Sequence, residues 1–228
     1  MSANGVTMSM QEQAAAIKDN AQDRLGEKFS LLAGDIDRVN NSGVLGRALT
    51  VGQQAPGFTL PDAFGNSVSS AHLLSKGPLV ISFYRGEWCP FCNLELRSLE
   101  QALPTFQALG ASLIAITPEK PDHSIVATEK NKLTFPILSD FSNQVAHQFG
   151  IVFQLGQDLK DFSLNVFKND IAVRNGESSY ELPVPATFVL DTAGIIRFAH
   201  VDANYMTGRA EPDALLAALK GLQAPVAK

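Results

Sequence analysis

Residues 79–92 read Leu-Val-Ile-Ser-Phe-Tyr-Arg-Gly-Glu-Trp-Cys-Pro-Phe-Cys. Leu79, Val80, Ile81, Phe83 and Tyr84 form a short apolar, β-branched and aromatic run between Gly77-Pro78 and Gly86, which is the composition of an interior strand. Downstream, Leu96, Leu99, Leu103 and Phe106 recur at helical spacing, with Glu95, Arg97, Glu100 and Gln101 between them on the expected wet side. The stretch therefore predicts a buried strand, a tight turn carrying two thiols, and a helix that returns onto the sheet.

Pro90 suits the first helical position, where its missing N–H costs nothing and its fixed φ is already helical. Cys89 then sits at the N-cap and Cys92 one turn further in, on the same face, so the sulfurs can meet. The free N–H groups and positive dipole end of the helix favour thiolates, and in such settings a cysteine pKa falls from about 8.5 to roughly 3.5–7.5. Two other readings compete with a redox dithiol. A Cys-x-x-Cys pair can be half of a zinc site, but the chain has no second cysteine pair and no His-x-x-x-His to complete one. Two incidental core cysteines would have no reason to be the chain's only two, three apart, at a helix start.

Working outward, 228 residues with 45% hydrophobic and 18% charged positions suffice for one sizeable core with an appendage. The net charge of −5, without a basic cluster, argues against nucleic acid or a membrane surface as partner. No transmembrane span or secretory signal is legible, and no cysteines remain for a structural disulfide framework, so a reducing cytoplasm is the expected location. His72, His123, His147 and His200 show no triad or metal spacing.

We expect residues 1–48 to be an N-terminal helical extension and residues 49–228 the principal domain. The opening ten residues read as disordered. From Gln11 to Val39 an apolar stripe predicts helix, divided at Gly26 and Gly34, as an arm folded on its own domain or a homodimer contact, and residues 40–43 read as a linker. Residues 111–117 form a second buried strand, parallel to the first through a right-handed crossover. A surface helix over 122–132, a strand at 135–138 and a helix over 143–149 follow. Residues 152–181 form a less regular insert whose apolar members suggest a satellite core, with an access channel or subunit contact as alternatives. The strands at 187–190 and 195–199 make an antiparallel hairpin, and Glu211 to Leu222 a closing helix with Pro212 near its start.

This order resembles the thioredoxin-fold superfamily: an α/β fold with a central mixed sheet flanked by helices. More narrowly it resembles the peroxiredoxin-like proteins of the alkyl hydroperoxide reductase/thiol-specific antioxidant branch. The carriers are Val51-Gly-Gln-Gln-Ala-Pro-Gly-Phe-Thr-Leu60, Phe83-Tyr84, Phe135-Pro-Ile-Leu-Ser-Asp140, Val145-Ala146 with Phe149-Gly-Ile151, and Ala186-Thr-Phe-Val-Leu-Asp191. The resemblance puts the peroxide-attacking thiol on Cys92, and a second thiol, Cys89, where the family has threonine. The family's catalytic arginine falls on Pro185, where thioredoxins have a cis proline, so Val184-Pro185 is expected to be cis. Trp88-Cys89-Pro90-Phe91-Cys92 is itself similar to the thioredoxin motif.

The resemblance implies an antioxidant oxidoreductase. As a peroxidase, Cys92 attacks a hydroperoxide, condenses with Cys89 to a disulfide, and is regenerated by a thioredoxin-like or glutathione-based reductant, with Arg85 standing in for the missing arginine. As a dithiol–disulfide oxidoreductase, a solvent-facing Cys89 attacks a disulfide while Pro185 shapes the backbone that receives the substrate. A non-catalytic redox sensor is the third reading. Glu87 or Glu95 serves as a proton relay in either enzymatic scheme, or is only a helix-start charge, and Trp88 covers the sulfurs. No cofactor or metal is expected.

Overall fold

The computed structural model describes residues 8–223. Its centre is a five-stranded mixed sheet in the order Ile137–Ser139, Ser112–Thr117, Leu79–Phe83, Ala186–Leu190, Ile196–Val201. The first three strands are parallel, and the last two run antiparallel to their neighbours. Leu79–Phe83 is the middle strand and every one of its residues is buried, as its unbroken apolar run requires. This is a thioredoxin-like α/β arrangement. Phe83, Phe149 and Phe188 stack at its heart, with Phe149 centred 4.9 Å from each of the other two rings. Burying such a ring stabilises the fold by roughly 1.5–3 kcal/mol.

The helix after the middle strand spans Pro90–Ala108, with Cys89 as its N-cap. Leu96, Leu99, Leu103 and Phe106 face the core as their spacing predicts. Glu95 departs from the expected pattern. It is buried, because it lies three residues from Cys92 and four from Leu99 and so shares the inward face.

The N-terminal helices lie against this helix and the insert. Ser9 caps the Met10–Leu25 helix in a reciprocal capping box with Glu12, so the expectation of disorder fails there, while residues 1–7 lie outside the described ones. Met10 and Ala14 are buried in the main core, and the Gln11 N–H donates to the Glu211 carboxylate at 2.8 Å. A 3-10 turn at Gly26–Lys28 breaks the arm as foreseen, whereas Gly34 lies within the Phe29–Asn40 helix. A second short helix, Val44–Arg47, occupies the ground after the expected linker. Arg38 pairs with Asp35 and donates to the Gln154 carbonyl at 2.8 Å, tying the arm to the insert.

The insert is more regular than its sequence suggests. It opens and closes with an antiparallel ribbon, Val152–Gln154 against Glu181–Pro183, and carries helices at Gln157–Asn165 and Ile171–Asn175. Leu155, Leu159 and Phe162 join the main core rather than a satellite, while Leu164, Val166 and Phe167 are exposed. The Val184–Pro185 bond is trans, contrary to expectation. The Val184 N–H donates to the Ile151 carbonyl at 2.7 Å, so extended chain runs straight from the ribbon into the Ala186–Leu190 strand.

Candidate functional site

The turn between the middle strand and its helix is held rigidly. The Asn93 side-chain amide donates to the Glu87 and Cys89 carbonyls at 2.6 and 3.0 Å, and Asn131 donates in turn to Asn93 at 2.7 Å. The Glu87 N–H donates to the buried Glu119 carboxylate at 2.6 Å. Gly86 is required at the corner, since a Cβ there would lie 2.2 Å from Trp88 Nε1.

Both cysteines are free thiols and both are covered, Cys89 at 1% exposure and Cys92 at 0%. The solvent-facing Cys89 expected from sequence is therefore corrected: at the N-cap position it is buried at the base of a cavity. The Cys92 sulfur accepts from Arg209 Nη2 at 3.3 Å, with the Cys89 thiol and the Arg85 backbone N–H beside it. Burial alone would raise the Cys92 pKa. The Cys89 hydrogen bond and the Arg209 charge outweigh it and hold Cys92 well below the usual thiol range. Cys89 goes the other way, pushed up by burial, by donating its proton to Cys92, and by the charge there. The two opposite shifts favour the proton on Cys89 and the charge on Cys92.

Arg209 is the residue that the sequence reading missed. It is buried, its guanidinium donates to the Tyr205 carbonyl at 2.9 and 3.1 Å, and it forms an ion pair with buried Glu95, which also accepts from the Thr187 hydroxyl at 3.2 Å. Burial works against charge on Glu95 and nets a raised pKa, although Arg209 opposes it. Arg209 lies in the loop between the Ile196–Val201 strand and the closing helix, a loop that also carries Asp202 and Glu211. Nothing in the spacing singles it out or names its partner.

Of the expected site residues, Arg85 is buried and approaches Cys92 through its backbone N–H, while its guanidinium lies over the rings of Tyr205 and Trp88, at 4.0 and 4.9 Å. It is not a surface charge. Glu87 is tied to Lys130 and Arg174 on the far side of the turn. Pro185 accepts a long backbone hydrogen bond from Asp202 at 3.5 Å. Among the described residues neither Glu87 nor Pro185 is hydrogen-bonded to a sulfur.

Above Cys89 opens a cavity of about 540 Å³. Its floor is Cys89, Arg85, Trp88 and Tyr205; Ile17 and Leu25 of the arm and Leu159 and Phe167 of the insert form walls. Among the described residues no carboxylate lines it, whereas Arg24, Arg85, Lys168 and Arg174 all do. Among the described residues no group of three or more His, Cys, Asp or Glu gathers as a metal site, and no helix is long and apolar enough to cross a membrane.

Residues 51–199 match the AhpC/TSA family. Peroxiredoxin Bcp of Escherichia coli K12 is 32% identical over 103 residues, covering 45% of this chain and 65% of that protein, so the chain spans just under two thirds of its length. The crystal structure of peroxidoxin BcpB from Mycobacterium tuberculosis superposes with a TM-score of 0.62 at 25% identity, covering 77% of this chain and 99% of that one. A bacterioferritin comigratory protein from Xanthomonas campestris, at 20% identity over 72% of this chain and 90% of its own, shares the fold with a TM-score of 0.55.

Proposed function

The chain belongs to the AhpC/TSA family, and we propose that it is a thiol-dependent peroxidase in which Cys92 attacks a hydroperoxide and Cys89 resolves the product. The observation that carries this reading is the Arg209 guanidinium 3.3 Å from the Cys92 sulfur. It stabilises the attacking thiolate, and its several N–H donors suit the charge that grows on the departing oxygen.

The Cys92 sulfur attacks the terminal oxygen, the O–O bond breaks, and the alkoxide leaves with the proton that Cys89 had shared. Cys92 becomes a sulfenic acid and Cys89 a thiolate. The Cys89 thiolate then displaces hydroxide from the Cys92 sulfur, forming the disulfide, and hydroxide takes up a proton to leave as water. Two electrons from a thioredoxin-like or glutathione-based reductant restore the dithiol, in a reducing cytoplasm where free thiols persist.

A dithiol–disulfide oxidoreductase would need its low-pKa sulfur at the surface. Here the sulfur favoured as thiolate is the inner cysteine, fully buried and so shielded from a protein disulfide, which favours the peroxidase.

The test is stopped-flow emission of Trp88, the only tryptophan. Mixing reduced protein with hydrogen peroxide or an organic hydroperoxide is expected to oxidise it far faster than a free thiol. Cys92→Ser abolishes the fast reaction, while Cys89→Ser preserves it and leaves a trappable sulfenic acid. A wild-type rate no better than a free thiol overturns the reading.

A further inference from the structure

The cavity over Cys89 is unlike the rest of the surface. The chain carries a net charge of −5, yet this cavity is lined by four cations and no anion. Arg174 is partly neutralised by Glu87 and Glu119, but among the described residues Arg24, Lys168 and Arg85 form no ion pair. Arg85 is only 3% exposed, and its Nε is buried without a hydrogen-bond partner. A buried guanidinium without an anion is costly in isolation, and a ligand carboxylate offsets that cost. Asn169, 7% exposed and also lining the cavity, has a buried Oδ1 with no partner. Its amide donates instead to Ser163. The unsatisfied groups thus include a cation for a carboxylate and an acceptor for an amide N–H. An acyl chain would leave both unmet.

We propose that this cavity binds a small anionic peptide thiol of the glutathione kind, which reduces the Cys89–Cys92 disulfide directly. The inference rests on the dithiol cycle proposed above and names its electron donor. Carboxylates of the peptide lie against Arg24, Lys168 and Arg85, its amide N–H donates to Asn169, and its sulfur reaches Cys89 on the cavity floor. A protein reductant presenting a broad surface meets the arm and the insert first.

The chemistry balances with two equivalents of thiol. The first thiolate attacks the Cys89 sulfur, forms a mixed disulfide, and expels Cys92 as thiolate, the better leaving group of the two. The second thiolate attacks the peptide sulfur of that mixed disulfide, breaks its bond to Cys89, and leaves as the peptide disulfide. Cys89 takes back one proton, and Cys92 remains a thiolate.

The protein is first oxidised with a stoichiometric disulfide-forming reagent, so that the outcome does not depend on peroxidase activity. Reduction is then followed with glutathione, with uncharged β-mercaptoethanol at matched thiolate concentration, and with thioredoxin. The expected result is a glutathione rate at least tenfold above that of β-mercaptoethanol, saturating with concentration and weakened by salt. The exposed rim variants Arg24→Glu and Lys168→Glu should each lower the ratio of these two rates several-fold. Glutathione and β-mercaptoethanol rates that differ only by thiolate content, or a ratio unmoved by both variants, overturn the proposal. So does rapid reduction by thioredoxin with glutathione inert. If glutathione reduces the disulfide as expected but the dithiol ignores peroxides, the peroxidase reading fails and the thiol site stands.

Discussion

Arg209 Nη2 lies 3.3 Å from the sulfur of Cys92, across a separation of 117 residues. The same guanidinium neutralises Glu95 one helical turn beyond that cysteine. Arg209→Met therefore removes both contacts together with the two hydrogen bonds to the Tyr205 carbonyl. The Cys92 pKa should rise, so that peroxide reactivity falls more steeply with falling pH than in the wild type. At neutral pH the rate should fall on the order of 10²-fold. Stability should drop by about 3–5 kcal/mol, because Glu95 is left buried and unpaired. Adding Glu95→Gln should recover stability in denaturant titration without recovering the rate, which separates chemistry from folding.

Glu119 supplies a pH dependence of its own. Burial raises its pKa to about 7, against partial compensation from the Glu87 N–H and from Arg174. A carboxyl with a raised folded pKa binds its proton more tightly when folded. Its stabilising contribution is complete below the unfolded value near 4.5 and is lost as pH rises toward 7. Unfolding free energies from denaturant titrations across that window should fall with pH in the wild type, this group contributing on the order of 3 kcal/mol. Glu119→Gln should flatten this slope.

Gly86→Ala drives a methyl group into the Trp88 indole and the Glu119 carboxylate, with atoms at 2.2 and 2.9 Å. The expected cost is about 1–3 kcal/mol, with a shifted Trp88 emission maximum in the folded protein. Unchanged emission would mean that the turn relaxes elsewhere.

Asn93→Ala deprives the Glu87 and Cys89 carbonyls of a donor inside a buried turn. A loss of about 1–3 kcal/mol is expected in urea titrations. Amide exchange in the turn should accelerate relative to the sheet.

The sulfur-bearing turn was legible because its signals are local. An apolar run bounded by glycines makes the strand, Pro90 sets the helix start, and a three-residue spacing aligns the cysteines. Glu95 was misread because periodicity records polarity and not what lies opposite, and its partner is 114 residues away in a loop with no regular pattern. The burial of Arg85 was not legible for a similar reason, since only the fold brings Tyr205 against it. Gly34 looked like a helix break, but the space around it is open and the helix continues through it at the modest cost of one glycine. The burial of Cys89 was not legible because the arm and the insert, far away in sequence, wall the cavity at whose base it lies.

The walls of the cavity come partly from the helix Met10–Leu25, which precedes the family-matched region of residues 51–199. The sulfur pair, Arg209 and Glu95 surround the thiol chemistry, while the arm adds walls to the cavity above it beside those from the insert. Substitutions along the inward stripe of that helix, at Ile17 or Leu25, can redraw the guest list and leave the chemistry beneath intact.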